Sequence, residues 1–316
     1  MTSYNALGFI GVGAMGKLMV RNLAQKTPSE TKIYINDVNQ AAVDELCLSY
    51  PESIVKCNTA KEVAEKSDII FTMLPEGQHL KQVYLESENC ISSTTLAGKI
   101  LIDCSTIDTA TCLEVRSNIQ QSYPTASFYD APVSGGILGA EKATLGIFIG
   151  CDKNDPNFEI LTDILSMLGS KVIACGGPAL GLVAKLANNY LSGTITIATA
   201  EAMNMGMRAG MDARILAQVI TAGSGQNHIA DKFNPVPGLC PQAPSSKGYR
   251  GGFHVSLMRK DMGLAREMAA QVGAKLVLGD IGLETYKLAS EDPACAGLDS
   301  RVVYRYLGGN ENWDQA

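Results

Sequence analysis

Nine residues near the N-terminus decide the fold: Gly8-Phe9-Ile10-Gly11-Val12-Gly13-Ala14-Met15-Gly16. The apolar run before Gly11 predicts a strand and the residues after Gly16 predict a helix, so the glycines lie in a strand-to-helix turn. Gly11 permits the tight turn, Gly13 lets the backbone approach a pyrophosphate, and Gly16 lets the helix pack closely on the strand. The helix N-terminus offers unpaired N–H groups to the phosphates. The residues expected to bind a dinucleotide here are Gly11, Val12, Gly13, Ala14, Met15 and Gly16.

An acidic residue follows at the end of the second predicted strand. Asp37 lies about 20 residues past the last glycine, the spacing at which a carboxylate meets the ribose hydroxyls of the cofactor. That carboxylate repels a 2′-phosphate, and no arginine follows it in Val38-Asn39-Gln40. The sequence therefore predicts NAD rather than NADP.

The first half of the chain alternates short β-branched runs with helical segments, which is typical of a mostly parallel sheet covered on both faces. Beyond Pro178, long segments rich in Ala, Leu and Met predict helices, and a Gly-Gly-Pro turn separates the two patterns. We expect a Rossmann-type doubly wound α/β domain over residues 1–177. An all-α domain for substrate binding and oligomerisation is expected over residues 178–316. The predicted strands are Ala6–Ile10, Lys32–Ile35, Asp68–Met73, Ile100–Ile102, Ser127–Tyr129, Thr144–Ile149 and Lys171–Ala174.

The composition narrows the class of function. Of 316 residues, 46% are apolar, which is enough for a sizeable core, and the net charge of −6 argues against nucleic acid as the main partner. Nine cysteines without a Cys-x-x-Cys pair, together with only three histidines, make a zinc site improbable. We expect no metal and a reduced, intracellular protein.

The longest apolar stretch, Leu182–Ala202, contains Lys185, Asn188, Asn189 and Glu201. Burying those groups in a bilayer is costly, so the stretch predicts a buried helix of a soluble protein. The first predicted strand begins at Ala6, and the sequence shows no signal or transit segment ahead of it.

Two segments carry candidate chemistry. Lys185 and Asn189 are four residues apart on one predicted helix and share a face, and a lysine in an apolar site exchanges protons near neutral pH. Asp130-Ala131-Pro132-Val133-Ser134-Gly135-Gly136 follows a strand, where Ser134 and two bare glycine N–H groups can receive a carboxylate. Taken alone, Lys185 also fits a solvated surface lysine and the second segment an ordinary turn. Lys260 opens a later helix and is either a ligand contact or a solvated charge.

Together these motifs resemble the β-hydroxyacid dehydrogenase family over nearly the whole chain. The resemblance rests on residues 8–16, Met73-Leu74-Pro75, Ile102–Asp108, Asp130–Gly136, Ala184–Asn189, Asn234–Gly238 and Lys260–Ala265. It is strongest to the members that oxidise 3-hydroxyisobutyrate to methylmalonate semialdehyde with NAD in valine breakdown, usually as dimers or tetramers. It allows a mitochondrial matrix location.

The resemblance also implies roles. Leu74, Pro75 and Thr106 would line the cofactor, and Lys260 would contact it from the helical domain. Ser134, Gly135 and Gly136 would hold the substrate carboxylate. Lys185 would be the acid/base, with Asn189 orienting the substrate hydroxyl.

Two features depart from the family pattern. The turn at Lys26–Thr31 is a few residues longer than the family pattern. His228 stands where an aromatic residue is expected. If His228 lines the pocket, the substrate is a different small β-hydroxyacid. The alternatives are therefore a family reductase for tartronate, succinic or glyoxylic semialdehyde and, more remotely, a non-catalytic binding module. Retention of Lys185 disfavours the binding module, and the short helical domain disfavours the phosphogluconate branch.

Overall fold

The structure is a computed structural model that describes residues 6–314. The chain divides into two compact units inside one long helix, the first ending at Lys185 and the second beginning at Leu186. The two units are described separately below. The sequence-based domain boundary at residues 177 and 178 remains a prediction.

A six-stranded sheet organises the N-terminal unit. Its strands are β1 (Ala6–Ile10), β2 (Lys32–Asn36), β3 (Ile54–Lys56), β4 (Ile69–Thr72), β5 (Ile100–Asp103) and β6 (Ser127–Asp130). The spatial order is β3-β2-β1-β4-β5-β6, and all neighbours run parallel. The strand order reverses between β1 and β4, as in doubly wound dinucleotide-binding sheets, so the predicted fold class is confirmed.

A second, three-stranded sheet lies in the same unit. It consists of β7 (Val133–Ser134), β8 (Leu145–Ile149) and β9 (Gly169–Ala174). β7 pairs antiparallel with β8, and β8 pairs parallel with β9. The sequence analysis missed β3 and β7, because runs of three and two residues carry no readable alternation.

Helices connect these strands and cover the main sheet. They are α1 (Gly16–Lys26), α2 (Gln40–Ser49), α3 (Ala60–Lys66), α4 (Gly77–Lys81), α5 (Thr109–Ser122), α6 (Gly136–Glu141) and α7 (Phe158–Ser166). A π-helical turn at Gln82–Glu86 and a 3-10 turn at Ile91–Ser93 complete the connections.

Both faces of the main sheet are buried. On β4, Ile69 and Phe71 belong to one apolar cluster, whereas Ile70 between them belongs to the other. Successive side chains of a strand point to opposite faces, so the two clusters are the cores above and below the sheet. This explains why the strands read as continuous apolar runs.

The C-terminal unit is helical. Helix α8 (Leu180–Arg208) crosses the division between the units, and α9 (Ala213–Ala222), α10 (His228–Lys232), α11 (Val255–Gln271), α12 (Gly279–Glu291) and α13 (Val303–Tyr306) follow. The 3-10 turns are Pro244–Lys247 and Ser300–Val302. Between Leu186 and Asp314 the structure contains no strand beyond an isolated bridge between His254 and Asp299.

Glycine allows the helices of this unit to pack closely. A Cβ at Gly193 of α8 would lie 3.0 Å from the sulfur atoms of Met258 and Met262 on α11. On the same glycine, the carbonyl accepts a 2.9 Å hydrogen bond from the Tyr286 hydroxyl of α12. Backbone contact of this kind holds three helices around one core.

Two further properties concern the apolar helices and the cysteines. Across residues 6–314 no helix is long and apolar enough to cross a bilayer. All nine cysteines are free thiols; six are buried, and Cys47, Cys175 and Cys240 are half-buried. Burial raises the pKa of the Cys104 thiol well above its ordinary value.

One carboxylate is fully buried where β4 and β5 end. Asp103 Oδ1 accepts hydrogen bonds from Thr72 Oγ1 at 2.7 Å and from Ser105 Oγ at 2.6 Å. Its Oδ2 has no hydrogen-bond partner among residues 6–314. Burial is the main reason that the pKa of Asp103 rises from 3.8 to about 6, against the effect of these hydrogen bonds.

We predict that Asp103→Asn gains stability relative to the wild type as the pH rises. Between about pH 4 and 6 the folded wild type binds more protons than the unfolded chain, so its free energy of unfolding falls with rising pH. The difference between variant and wild type should grow by about 2 kcal/mol from pH 4 to pH 7. Urea unfolding at a series of pH values measures it. Exposed Glu65→Gln on α3 is the control, and parallel curves for Asp103→Asn and wild type would contradict the prediction.

Candidate active site

The turn after β1 is built by backbone packing. Gly11 has φ +95°, and a Cβ there would lie 2.3 Å from the Met73 carbonyl oxygen. A Cβ at Gly16 would lie 1.9 Å from the Gly11 carbonyl oxygen, so α1 begins in direct contact with the turn. At Gly13, by contrast, a Cβ would meet no atom of residues 6–314 within 4 Å. The turn is closed on the protein side and open at Gly13, which fits a pyrophosphate.

Asp37 connects this turn to the end of β2. Its Oδ2 accepts a 2.6 Å hydrogen bond from the Val12 N–H, and its Oδ1 accepts a 2.7 Å bond from the Asn39 N–H. The carboxylate is half-buried, and Val38 beside it is fully exposed. The long turn at Lys26–Thr31 therefore leaves Asp37 beside the glycine turn, where an acidic residue meets a ribose.

The loops after β4 and β5 are joined to each other. Leu74 N–H donates a 2.8 Å hydrogen bond to Ser105 Oγ, which in turn donates to buried Asp103. Leu74 and Thr106 are half-buried, and Pro75 is exposed. The Leu74 side chain also reaches the turn, because a Cβ at Gly11 would lie 3.2 Å from Leu74 Cδ2.

Ser134, Gly135 and Gly136 form a short corner between β7 and α6, in which Gly135 is exposed and the other two are half-buried. Gly135 has φ +134° and Gly136 has φ +62°, conformations that favour glycine. Ser134 pairs with Gly146 of β8, so the corner is held by the smaller sheet.

Helix α8 carries both Lys185 and Asn189, one helical turn apart. Each residue is only 6% exposed. Asn189 Nδ2 donates a 2.6 Å hydrogen bond to Asp261 Oδ2. Lysine is among the residues least often buried in proteins, so the burial of Lys185 needs a reason.

Asp261 lies inside the Lys260–Ala265 motif, for which the sequence predicted a role only at Lys260. It is 1% exposed on α11, and Lys260 Nζ lies 3.2 Å from its Oδ1. Asp261 thus contacts two of the predicted site residues in the C-terminal unit, Asn189 and Lys260. The sequence showed an acidic residue directly after Lys260. It could not show the contact with Asn189, because the two residues are 72 positions apart in the chain.

His228 begins α10 and is exposed. Its ring packs against Phe233 with the ring centroids 5.3 Å apart, and the Arg301 guanidinium lies over the same phenyl ring.

Comparison with known families and proteins shows to which family this chain is related. A model for the NAD binding domain of 6-phosphogluconate dehydrogenase matches residues 6–177. A model for the NAD-binding of NADP-dependent 3-hydroxyisobutyrate dehydrogenase matches residues 179–307. The probable mitochondrial 3-hydroxyisobutyrate dehydrogenase of Dictyostelium discoideum is 38% identical over 98% of this chain and 92% of its own length. The chain belongs to the 3-hydroxyisobutyrate dehydrogenase family.

Two further members have the same extent. The mitochondrial 3-hydroxyisobutyrate dehydrogenase of Rattus norvegicus is 35% identical over 99% of this chain and 90% of its own. A structure of Mycobacterium tuberculosis 3-hydroxyisobutyrate dehydrogenase with L-serine superposes with a TM-score of 0.87 and 29% identity, covering 96% of this chain and 99% of that one. The predictions of an NAD-dependent dehydrogenase and of its family are confirmed, whereas the roles of individual residues remain predictions.

We predict that one glycine substitution in the turn affects stability and that another affects cofactor binding. Gly16→Ala should lower the free energy of unfolding by about 1–3 kcal/mol, because its methyl group overlaps the Gly11 carbonyl. Gly13→Ala should leave stability unchanged and weaken NADH binding at least tenfold, because its methyl group fills the open space that a phosphate needs. Thermal unfolding and NADH fluorescence titration measure the two effects. Unchanged NADH binding by Gly13→Ala would show that no phosphate lies against this turn.

Proposed function

We propose that this chain oxidises 3-hydroxyisobutyrate to methylmalonate semialdehyde with NAD, as a step of valine catabolism, with Lys185 as the acid/base. The observation that carries the proposal is a buried amine, Lys185, one turn before a buried amide, Asn189, on a single helix. A buried amine and amide on one helical face are suited to a substrate hydroxyl. Relatives named 3-hydroxyisobutyrate dehydrogenase support the choice of substrate.

The cofactor-binding role is assigned to the N-terminal unit. NAD, when bound, accepts a hydride from the substrate carbon that bears the hydroxyl. The backbone from Gly11 to Gly16 would hold its pyrophosphate, and Leu74, Pro75 and Thr106 would line the site. Asp37 would bind the adenine ribose and disfavour a 2′-phosphate, which supports NAD over NADP. Lys260 of the C-terminal unit is assigned a cofactor contact.

The substrate carboxylate is assigned to Ser134, Gly135 and Gly136. Successive glycine residues with positive φ can turn neighbouring N–H groups towards one anion, and Ser134 adds a hydroxyl donor. The corner is hydrogen-bonded to β8, which supports a fixed rather than an adaptable carboxylate site.

Proton transfer is assigned to α8. Neutral Lys185 would accept the hydroxyl proton as the carbonyl forms, and Asn189 would orient the hydroxyl. Asp261 accepts a hydrogen bond from Asn189 Nδ2 and thereby fixes the orientation of the Asn189 amide. Positioning supplies the larger part of the rate, and general base action adds ~10²–10⁴-fold.

The first experiment is NADH formation at 340 nm by the purified protein with (S)-3-hydroxyisobutyrate. NAD and NADP are compared in parallel, and L-serine and 4-hydroxybutyrate serve as competing substrates. The proposal expects the highest kcat/KM with hydroxyisobutyrate and NAD. Faster turnover of another hydroxyacid, or preference for NADP, would instead indicate a family reductase for another semialdehyde.

We predict that Lys185→Ala lowers kcat by ~10²–10⁴-fold and leaves NADH binding nearly intact, because the variant loses only the proton acceptor. Stopped-time assays and NADH titration measure both. Lys153→Ala, an exposed lysine of the same unit, is the matched control and should behave as wild type. Turnover retained by Lys185→Ala would remove Lys185 from the role.

The proposal extends to assembly and compartment. A homodimer or homotetramer is favoured by exposed apolar side chains on α12, including Ile281 and Leu288, and light scattering tests it. A monomer at micromolar concentration would contradict it.

A mitochondrial matrix location follows from the proposed pathway and from two relatives named mitochondrial, and cell fractionation tests it.

A further inference from the structure

Asp130, the last residue of β6, caps the helix that carries Lys185. Ala179 N–H donates to Asp130 Oδ1 at 2.8 Å, and Leu182 N–H donates to Oδ2 at 2.9 Å. Helix caps normally come from a Ser, Thr, Asp or Asn beside the helix, whereas Ala179 has no acceptor in its side chain. The cap of α8 is therefore supplied from the sheet, 49 residues earlier in the chain.

The backbone at this cap is strained. Ala179 has φ +61°, in the left-handed region that is unfavourable for a residue with a Cβ. The strained residue donates directly to Asp130, and its side chain is buried. Such a conformation persists only where the surroundings determine it.

Two glycines leave the carboxylate no freedom. A Cβ at Gly150 would lie 1.8 Å from Asp130 Oδ1. A Cβ at Gly181 would lie 2.8 Å from Oδ2 and 2.2 Å from the Phe148 carbonyl oxygen. The first turn of α8 therefore rests directly on the backbone of β8, with the Asp130 carboxylate enclosed between them.

The same strand supports the proposed carboxylate site. The Asp130 carbonyl accepts a 2.8 Å hydrogen bond from Gly150 N–H, just after β8 ends. Four residues beyond Asp130, Ser134 pairs with Gly146 inside β8. The Ser134 corner and the start of α8 thus both pack on one short strand, β8.

We infer that Asp130 is a positioning residue that fixes Lys185 relative to the Ser134–Gly136 corner. The inference rests on the proposed function. Lys185 lies six residues after Ala179, about 9 Å along a helix, so a shift of the capped turn moves the amine with it. A misplacement of about 1 Å can cost 10²-fold in rate.

The test is a double-mutant cycle in the full-length protein. Asp130→Asn keeps one acceptor oxygen and replaces the other with a donor, which cannot receive the second N–H. We expect kcat with 3-hydroxyisobutyrate to fall ~10–100-fold while the KM for NAD changes less than twofold. In a Lys185→Ala background the same substitution should change the residual kcat less than twofold, because no amine remains to be positioned.

A matched control separates positioning from loss of stability. Asp212 is a local N-cap of α9 whose Oδ1 accepts from the N–H groups of Arg214 and Ile215, and it has no assigned role in the site. Asp212→Asn should keep the wild-type kcat. Gly181→Ala displaces the same turn without changing the carboxylate, and its gain in helix propensity offsets part of the strain; it replaces Asp130→Asn if that variant does not fold.

The outcomes are distinct. An unchanged kcat in Asp130→Asn, or an equal fall with and without Lys185, overturns the positioning role while the proposed function stands. Turnover retained by Lys185→Ala overturns both the proposed function and the inference. A fall in kcat that is confined to proteins with Lys185 supports the inference.

Discussion

The contact between the first residue of α1 and the Gly11 carbonyl is the constraint on which the N-terminal unit depends. A hydrogen atom at Gly16 is the only substituent that fits there, so α1 starts directly against the turn that follows β1. The same turn brings the Val12 N–H to the Asp37 carboxylate. The contact therefore fixes the turn to which the phosphates are assigned and the carboxylate to which the ribose is assigned.

Three buried carboxylates lie beside residues that the proposal assigns to the chemistry, each with different partners. Asp103 accepts hydroxyl hydrogen bonds at the ends of β4 and β5, Asp130 accepts backbone N–H groups of a helix, and Asp261 lies against an amide and an ammonium group. Such donors stabilise a buried carboxylate, and burial raises the pKa of Asp103, whose Oδ2 has no hydrogen-bond partner among residues 6–314. The proposed chemistry is thus supported by carboxyl groups that do not themselves react.

Those carboxylates also show where sequence reasoning ends. The glycine turn, Asp37 and the Lys185–Asn189 pair were readable because their meaning lies in short spacings set by strand and helix geometry. Asp130 was quoted as part of a loop motif, but its partners Ala179 and Leu182 belong to a distant helix. Asp261 is remote from Asn189 in the same way, and β3 is too short for any pattern to appear. Contacts across dozens of residues depend on the assembled fold, which no local window contains.

The distribution of the thiols has a practical consequence. Six of the nine sulfhydryl groups are shielded from solvent, and only Cys47, Cys175 and Cys240 are partly accessible. A thiol-specific reagent added to the native enzyme therefore modifies few sites quickly, and the rest only after the polypeptide opens. Cys57, Cys104 and Cys112 lie in the sheet-containing unit and Cys295 in the helical one. Mass-resolved labelling can therefore follow the opening of each unit in a single sample, without any engineered reporter.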